Sequence, residues 1–505
     1  MPRLSSPLLP SGRIGQKTSL HGGRLARTAV AAALAASIAL LSGCATPVLH
    51  PKVDVPSTFA ATSASDIEPE AAWWETFHDP VLSDLVRRAA RENRDIKIAA
   101  ERLTAARAGQ TVSRSFLYPG VSASGAGVKH DAGYSDAVKQ VLPDAKVAAA
   151  SLDVSWEVDL SGRLRAGAAA AGADAMAAED NVRGVRLMVM SDVASNYFTL
   201  TGALRQIDTL KAISAAYDET LRLVEARYRA GLATPFDVER AQTDAESARA
   251  QIPTLETVAA VSRHRIAVLI GDQAFNAARI EPWHGDAVVP DIKPGQPAEL
   301  LERRPDVLAL MAQLDAANAR RRQAKAEWFP RLFLGASLGR QDTTLNGIGL
   351  GASRFTNVAG LLAMPIFNAG RTQAINDAAK SDQRAALLRA EDGMVRALED
   401  VENSLVAFSA EKRREASLHT AATSADAALG HAQSLYDRGQ IDLLPLLDAQ
   451  RARLAVRLGA NDSQTRQLLD SVQLYKALGG GWQVFEQSAD RSATATASTN
   501  RPPRS

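Results

Sequence analysis

The sequence predicts a mainly α-helical chain with four β-strands, built as one helix–strand–strand–long helix unit used twice. Three observations predict it: a constant offset between two halves of the chain, two very long stretches of helical periodicity, and two pairs of short strand-like segments. Tyr228, Gly231, Ala241 and Gln242 in YRAGLATPFDVERAQ recur as Tyr436, Gly439, Ala449 and Gln450 in YDRGQIDLLPLLDAQ, displaced by 208 residues. The same offset relates Gly162-Arg163 to Gly370-Arg371, and Gly271 to Gly479. Upstream it is 211, from Asp95 to Asp306 and from Pro119 to Pro330, so the difference lies between Pro119 and Trp156.

In chain order, residues 1–27 carry Arg3, Arg13, Lys17, Arg24 and Arg27 and no acid, and an apolar run follows from Thr28 to Leu41. A basic segment and a short apolar core make a secretory signal, too short to span a bilayer. Cys44, the only cysteine among 505 residues, comes next and cannot form an internal disulfide. Leu41-Ser42-Gly43-Cys44 resembles the bacterial lipobox. That resemblance implies cleavage before Cys44, a diacylglycerol on its sulfur and an acyl chain on the new N-terminus. Ala45, rather than an aspartate, implies sorting to the outer membrane.

The whole chain holds 58 basic and 56 acidic residues, so without the five bases of the signal it is slightly acidic. Nothing here suits a nucleic acid, which needs a basic face. No later stretch is apolar enough for a transmembrane helix, so any crossing must be made by strands.

Each unit opens with a helix, Pro80 to Phe116 and then Pro305 to Trp328. Pro305 and Asp306 suit a first helical turn, one lacking an N–H and the other complementing the dipole. Strand pairs are expected near 120–130 and 147–160, then near 331–341 and 354–367; Val154, Trp156, Val158 and Leu160 alternate with polar residues. Long helices start at Gly162 and Gly370 and end at Gly231 and Gly439. Val193, Tyr197, Leu200, Leu204, Ile207 and Leu210 give the first a coiled-coil-like seam. Return helices run from Pro235 to Ile270, kinked at Pro253, and from Pro445 to Leu478. The helices alone fit a soluble bundle or solenoid equally well.

The strands decide between these. Four strands with an apolar face cannot close by themselves, and open edges are not tolerated in hydrocarbon. Several chains must share the barrel, and a trimer supplies twelve strands. Phe116, Tyr118, Trp156, Trp328, Phe329 and Phe367 sit at strand ends, as interfacial girdles do.

WWETFHDPVLSDLV, LLERRPDVLALMAQLDAANARRRQAKAEWFPRL, MPIFNAGR and the paired YxxG…AQ segments resemble TolC-like outer-membrane factors, specifically the NodT-type efflux lipoproteins. The resemblance implies a homotrimer with a twelve-stranded transmembrane β-barrel continuous with a periplasmic α-helical barrel. It implies an exit duct, not an enzyme, that conducts small molecules passively. The partners implied are a periplasmic membrane-fusion adaptor, an inner-membrane pump of the resistance-nodulation-division type, and outer-membrane lipid. A type I protein-secretion channel shares the fold and is the alternative.

The chain is accordingly divided into a signal (1–43), a lipid-anchored segment (44–72), two repeats (73–286 and 287–486) and a polar tail (487–505). By resemblance, Arg229, Ala230, Gly231 and Leu232 form one adaptor-docking tip, and Arg438, Gly439 and Gln440 the other. The periplasmic gate falls, by the same resemblance, to Asp448 and to Asp237, the latter at an acidic tip position. Pro445 stands where some relatives carry a second acid. Both glycines also suit plain helix C-caps, and Asp448 an ordinary first-turn carboxylate. No catalytic motif, metal-ligand spacing or cofactor fingerprint occurs.

Overall fold

A computed structural model describes residues 46–60, 71–131, 133–272 and 288–485. Cys44, the signal and the tail lie outside the described residues. Residues 46–48 have no regular structure, and the chain from Leu49 onward forms one unit.

A 3₁₀ turn at Trp73–Phe77 leads into α1 (Pro80–Glu92) and α2 (Arg94–Ser115). Then come β1 (Gly120–His130), α3 (Asp136–Lys139), β2 (Ala145–Val158) and α4 (Arg163–Arg229). The chain returns through α5 (Pro235–Arg249) and α6 (Ile252–Leu269). The second copy holds α7 (Pro297–Arg303), α8 (Pro305–Ala326), β3 (Arg331–Leu345), β4 (Ile348–Ala363), α9 (Arg371–Asp437) and α10 (Leu443–Ala477). The long helices α4 and α9 have 67 residues each, about 100 Å at 1.5 Å per residue. The first return helix breaks at Ala250–Gln251, just before Pro253, whereas α10 is continuous through Asn461.

The single helix expected from Pro80 to Phe116 is two. Asn93 leaves helical geometry, and its side chain accepts from the N–H groups of Asp95 (2.8 Å) and Ile96 (3.2 Å), starting a new helix. The amide of Asn93 also donates to the carbonyl of Leu269 at the end of α6 (2.9 Å). Arg304, 211 residues on, does the same work between α7 and α8. Its guanidinium donates to the carbonyl of Ala477 at the end of α10 (3.2 Å), and Ala477 is the 208-offset equivalent of Leu269. Arg304 further donates to the carbonyl of Ala397 (3.3 Å) and pairs with Asp306 (2.6 Å) and Asp400 (3.0 Å). Each repeat therefore carries a clasp joining the start of its outer helix to the end of its return helix. Gly271 and Gly479, at φ 72° and 69°, close the same corners. A Cβ on either would meet Glu92 or Arg304 at 2.9 Å.

Beside the clasps lies the main core. Trp73 stacks on Tyr475 (5.4 Å between centroids), Trp74 on Phe485 (5.6 Å), and Phe77 tilts against Phe198 (4.9 Å). Buried Asp79 caps α1 by accepting from Val81 and Leu82, and takes the hydroxyl of Tyr197 at 2.6 Å. A second cluster gathers Phe59, Leu300, Val401, Phe408 and Leu474. Residues 49–60 reach it as an extended strap: Leu49 exchanges two hydrogen bonds with the Asn318 side chain on α8 (3.1 Å each), and Lys52 N–H donates to Glu391 on α9 (3.1 Å).

The four strands form one antiparallel sheet in the order β1-β2-β3-β4. All join helices at one end and turn back at the other. Asn346-Gly347, both at positive φ, makes the tight β3–β4 turn. The longer β1–β2 connection, residues 131–144, lies where the repeat offset changes. Register places Ser122, Ser124, Ser151, Asp153, Ser337, Gln341 and Asn357 on one face, where Ser124 bonds Ser151 (2.8 Å) and Asp153 (2.6 Å). The other face presents Val121, Leu152, Val154, Leu338, Val358 and Leu362, all open to the surroundings of the single chain. Phe116, Tyr118, Trp328 and Phe367 are exposed near the helix–strand junctions, while half-buried Trp156 donates its indole N–H to the Leu117 carbonyl (3.1 Å).

Arg304→Ala is expected to cost on the order of 3 kcal/mol, because it leaves buried carbonyls and Asp400 without their partner; Asn93→Ala costs about 1–2 kcal/mol. Thermal denaturation of the detergent-solubilised protein should show that order of melting temperatures. Burial alone would raise the Asp306 carboxyl, but the Arg304 guanidinium overrides it and holds the group below the ordinary carboxylate value. The stabilisation is thus present above pH about 4 and lost as pH falls through the Asp306 value. Melting temperature should drop more steeply with acid in the wild type than in Asp306→Asn; parallel curves would remove Asp306 from the clasp.

Candidate functional site

The far ends of α4 and α9 turn on glycine in the same way. Gly231 (φ 75°) donates to Tyr228 O (2.9 Å) and Leu232 N–H to Arg227 O (2.8 Å). Gly439 (φ 70°) donates to Tyr436 O (2.9 Å) and Gln440 N–H to Leu435 O (2.9 Å). Both are Schellman caps, which absorb the last helical carbonyls and need the left-handed backbone glycine tolerates. Arg229, Ala230, Gly231 and Leu232 are exposed, as are Arg438, Gly439 and Gln440. The tips nonetheless differ. Tyr228 and Leu232 stand out from the first, with exposed Phe236 beside them in sequence, whereas Tyr436 of the second is buried under the Arg227 guanidinium, 4.5 Å from its ring centre.

Asp237 closes a capping box with Thr234. It accepts from the Thr234 backbone N–H (2.9 Å) and hydroxyl (2.8 Å), and its own N–H donates to Thr234 Oγ1 (3.3 Å). The backbone bond first, and the hydroxyl next, lower the carboxyl below its ordinary value.

Asp448, in the first turns of α10, is 59% exposed and lies between two arginines: Arg451 at 3.4 Å on its own helix and Arg240 of α5 at 3.9 Å. Arg451 also forks onto Asp244 of α5, with contacts of 2.9 and 3.1 Å. Gln450 donates to Thr220 on α4 (2.8 Å), and Tyr217 is buried beside Ala245 and Ala248. Burial, and then the Asp244 charge, push the Tyr217 phenol up to about 12. The structure thus joins the two return helices through a charge network that leaves Asp237 on its own cap. Sequence reasoning missed Arg240, Asp244 and Arg451. One signal was available, since Arg240 is the 208-offset equivalent of Asp448 and carries the opposite charge.

Among the described residues, no cluster of histidine, cysteine and acids could hold a metal, and no helix is long and apolar enough to cross a membrane.

A family model for outer membrane efflux proteins matches residues 85–272 and 297–480. The chain belongs to that family. This efflux-family chain is 30% identical to outer membrane protein OprJ of Pseudomonas aeruginosa over 413 residues, covering 81% of this chain and 86% of OprJ. It is 27% identical to the probable outer membrane lipoprotein SilC of Salmonella typhimurium over 454 residues, 88% of this chain and 97% of SilC. Among solved structures it is similar to the outer-membrane channel OprN, with a TM-score of 0.79 at 29% identity, covering 87% of this chain and 99% of that one. The protein is an outer-membrane efflux channel with a long periplasmic extension, of a family of channel proteins. Its fold is the duplicated unit whose trimer makes a twelve-stranded β-barrel continuous with an α-helical barrel.

An unfolded chain ionises tyrosine near pH about 10, so the stability held by neutral Tyr217 is present below that pH and lost as pH rises toward 12. Tyr217→Phe should flatten the alkaline fall in melting temperature. An identical fall in both proteins would show that Tyr217 is not the buried phenol responsible.

Proposed function

We propose that three copies of this chain form the exit duct of a tripartite efflux system, conducting small molecules passively while an inner-membrane pump supplies the energy. The observation that carries this reading is the joint architecture: an open four-stranded sheet with an exposed apolar face, continued by two 67-residue helices that end in exposed glycine tips. The tips at Arg229–Leu232 and Arg438–Gln440 receive a periplasmic adaptor, linked to a pump of the resistance-nodulation-division type. Exposed Leu232 and Phe236 make the first tip the more apolar docking surface. Residues 73–286 and 287–486 serve as the two repeats, preceded by a signal (1–43) and an anchored segment (44–72) and followed by the tail (487–505).

Asp448 gates the inner end. Three copies around one axis would repel one another and attract cations, and Arg240 and Arg451 restrain them. Asp237 acts at the tip by fixing the turn. Asp448→Ala should raise the single-channel conductance of the purified trimer in a planar bilayer. Arg451→Ala should raise it too, because the link from α10 to Asp244 is cut. Unchanged conductance in both would remove this network from the gate.

Cys44 bears the diacylglycerol and N-acyl chain. The strap supports this: Leu49 is pinned to Asn318, eight residues before the membrane end of α8, or about 12 Å of helix. The five residues from Cys44 to Leu49 can extend about 17 Å. Cys44→Ser with the signal kept should abolish incorporation of labelled palmitate; continued labelling would refute the anchor assignment.

A further inference from the structure

The strand register collects charge where a membrane face should have little. On the apolar face, Arg340 of β3 lies directly opposite Arg354 of β4, and Lys129 of β1 directly opposite Lys146 of β2. All four are exposed. None makes an ion pair with a described residue, and the acid on the same stretch is Asp342, two positions beyond Arg340. Like charges set opposite across a ladder destabilise it. A cation on the lipid face costs about 2–4 kcal/mol at the bilayer midplane and almost nothing at its border.

Their height resolves the cost. From Leu362 to Arg354 on β4 is eight residues, about 26 Å of strand or about 20 Å of height at a tilt of about 40°, most of the roughly 25 Å apolar band of such barrels. Exposed Tyr118 and Phe367 continue the apolar height at the helical end. Arg340 and Arg354 therefore stand at the border farther from the helices, immediately beyond Leu338 and Leu152 in the register. Lys146 is four residues beyond Ala150, which faces Arg340, so the lysine pair lies about 13 Å farther along the strands, or about 10 Å farther out. The helices are periplasmic, which puts both pairs at the outer leaflet. Two opposed cation pairs, the lysines on β1 and β2 set diagonally beyond the arginines on β3 and β4 and both lying past the leucine and valine surface, suit an anion that is also anchored in hydrocarbon.

We infer that Arg340, Arg354, Lys129 and Lys146 bind the phosphorylated headgroup of an outer-leaflet lipid on the outside of the barrel. The inference rests on the shared-barrel reading for which face meets lipid. The arginine fork takes a phosphate with paired hydrogen bonds, and the lysines add point charges at the headgroup level. Bound lipid would relieve the repulsion between the paired cations and tie neighbouring strands together.

The test is native mass spectrometry of the full-length protein released from detergent after incubation with diphosphorylated lipid A, with chemically dephosphorylated lipid A, or with inorganic phosphate. The wild-type trimer should retain the phosphorylated lipid about tenfold better than the dephosphorylated one. Arg340→Gln/Arg354→Gln should lose most of that preference, Lys129→Gln/Lys146→Gln part of it, and Lys211→Gln in the helical rod none. Equal retention of the two lipids by the wild type, or a preference that survives in both double variants, would overturn the inference. So would displacement of the lipid by millimolar inorganic phosphate, which would show a site for free anions. If a double variant does not assemble, the two-lipid comparison on the wild type decides alone. A wild-type monomer in the same spectra would count against the shared barrel, whereas a trimer without lipid preference counts against this inference only.

Discussion

Two unpaired strand edges govern this molecule. In the order β1-β2-β3-β4, the outer edges of β1 and β4 have no partner among the described residues. In hydrocarbon each unpaired N–H or C=O costs several kcal/mol, so such a sheet is stable only where another chain supplies the missing ladder. The exposed face of Val121, Leu152, Leu338 and Val358 is the one such a sheet turns to hydrocarbon. Barrel closure and the radial arrangement of the helices follow from this one deficit. A single chain holds only a sector of the pore.

The two copies of the unit keep the same geometry and diverge in side-chain chemistry. The clasps keep the same geometry with different chemistry: an amide at Asn93 and a guanidinium at Arg304 reach equivalent carbonyls of the return helices. The arginine reaches farther and recruits Asp306 and Asp400, which holds α9 as well. At the opposite end, equivalent positions carry opposite charges. Arg240 faces Asp448 across the two return helices, a contact that two identical copies could not make. The tips follow the same pattern, with Tyr228 exposed and Tyr436 covered by Arg227.

Much of this was legible in the sequence, for physical reasons. Helices of 67 residues leave a periodic record, and a glycine that must take positive φ is hard to replace, so Gly162, Gly231, Gly370 and Gly439 marked the rod ends. The break at Asn93 was missed because apolar periodicity ran through it, although Asn93 followed by Asp95 is itself a helix-start signature. Asn346-Gly347 is a strong hairpin signal, and β4 starts directly after it, six residues before the expected 354. The charge network around Asp448 and the cation pairs of the barrel were not legible. They join residues from different elements, and only helix packing or strand register brings those together. At the tip, the Asp237 carboxylate accepts from Thr234 in a capping box, a local contact that the spacing of Thr234 and Asp237 already allows.

The central claim is that β1 of one chain completes the ladder with β4 of the next, three times around. Cysteine placed at Ser124 on β1, combined in turn with cysteine at Ser353, Phe355 and Asn357 on β4, would be oxidised in isolated outer membranes and resolved on a denaturing non-reducing gel. At least one pairing should give a ladder of one, two and three chains that stops at three. Monomer at every pairing, or a ladder that ends at two or continues past three, would contradict the shared barrel.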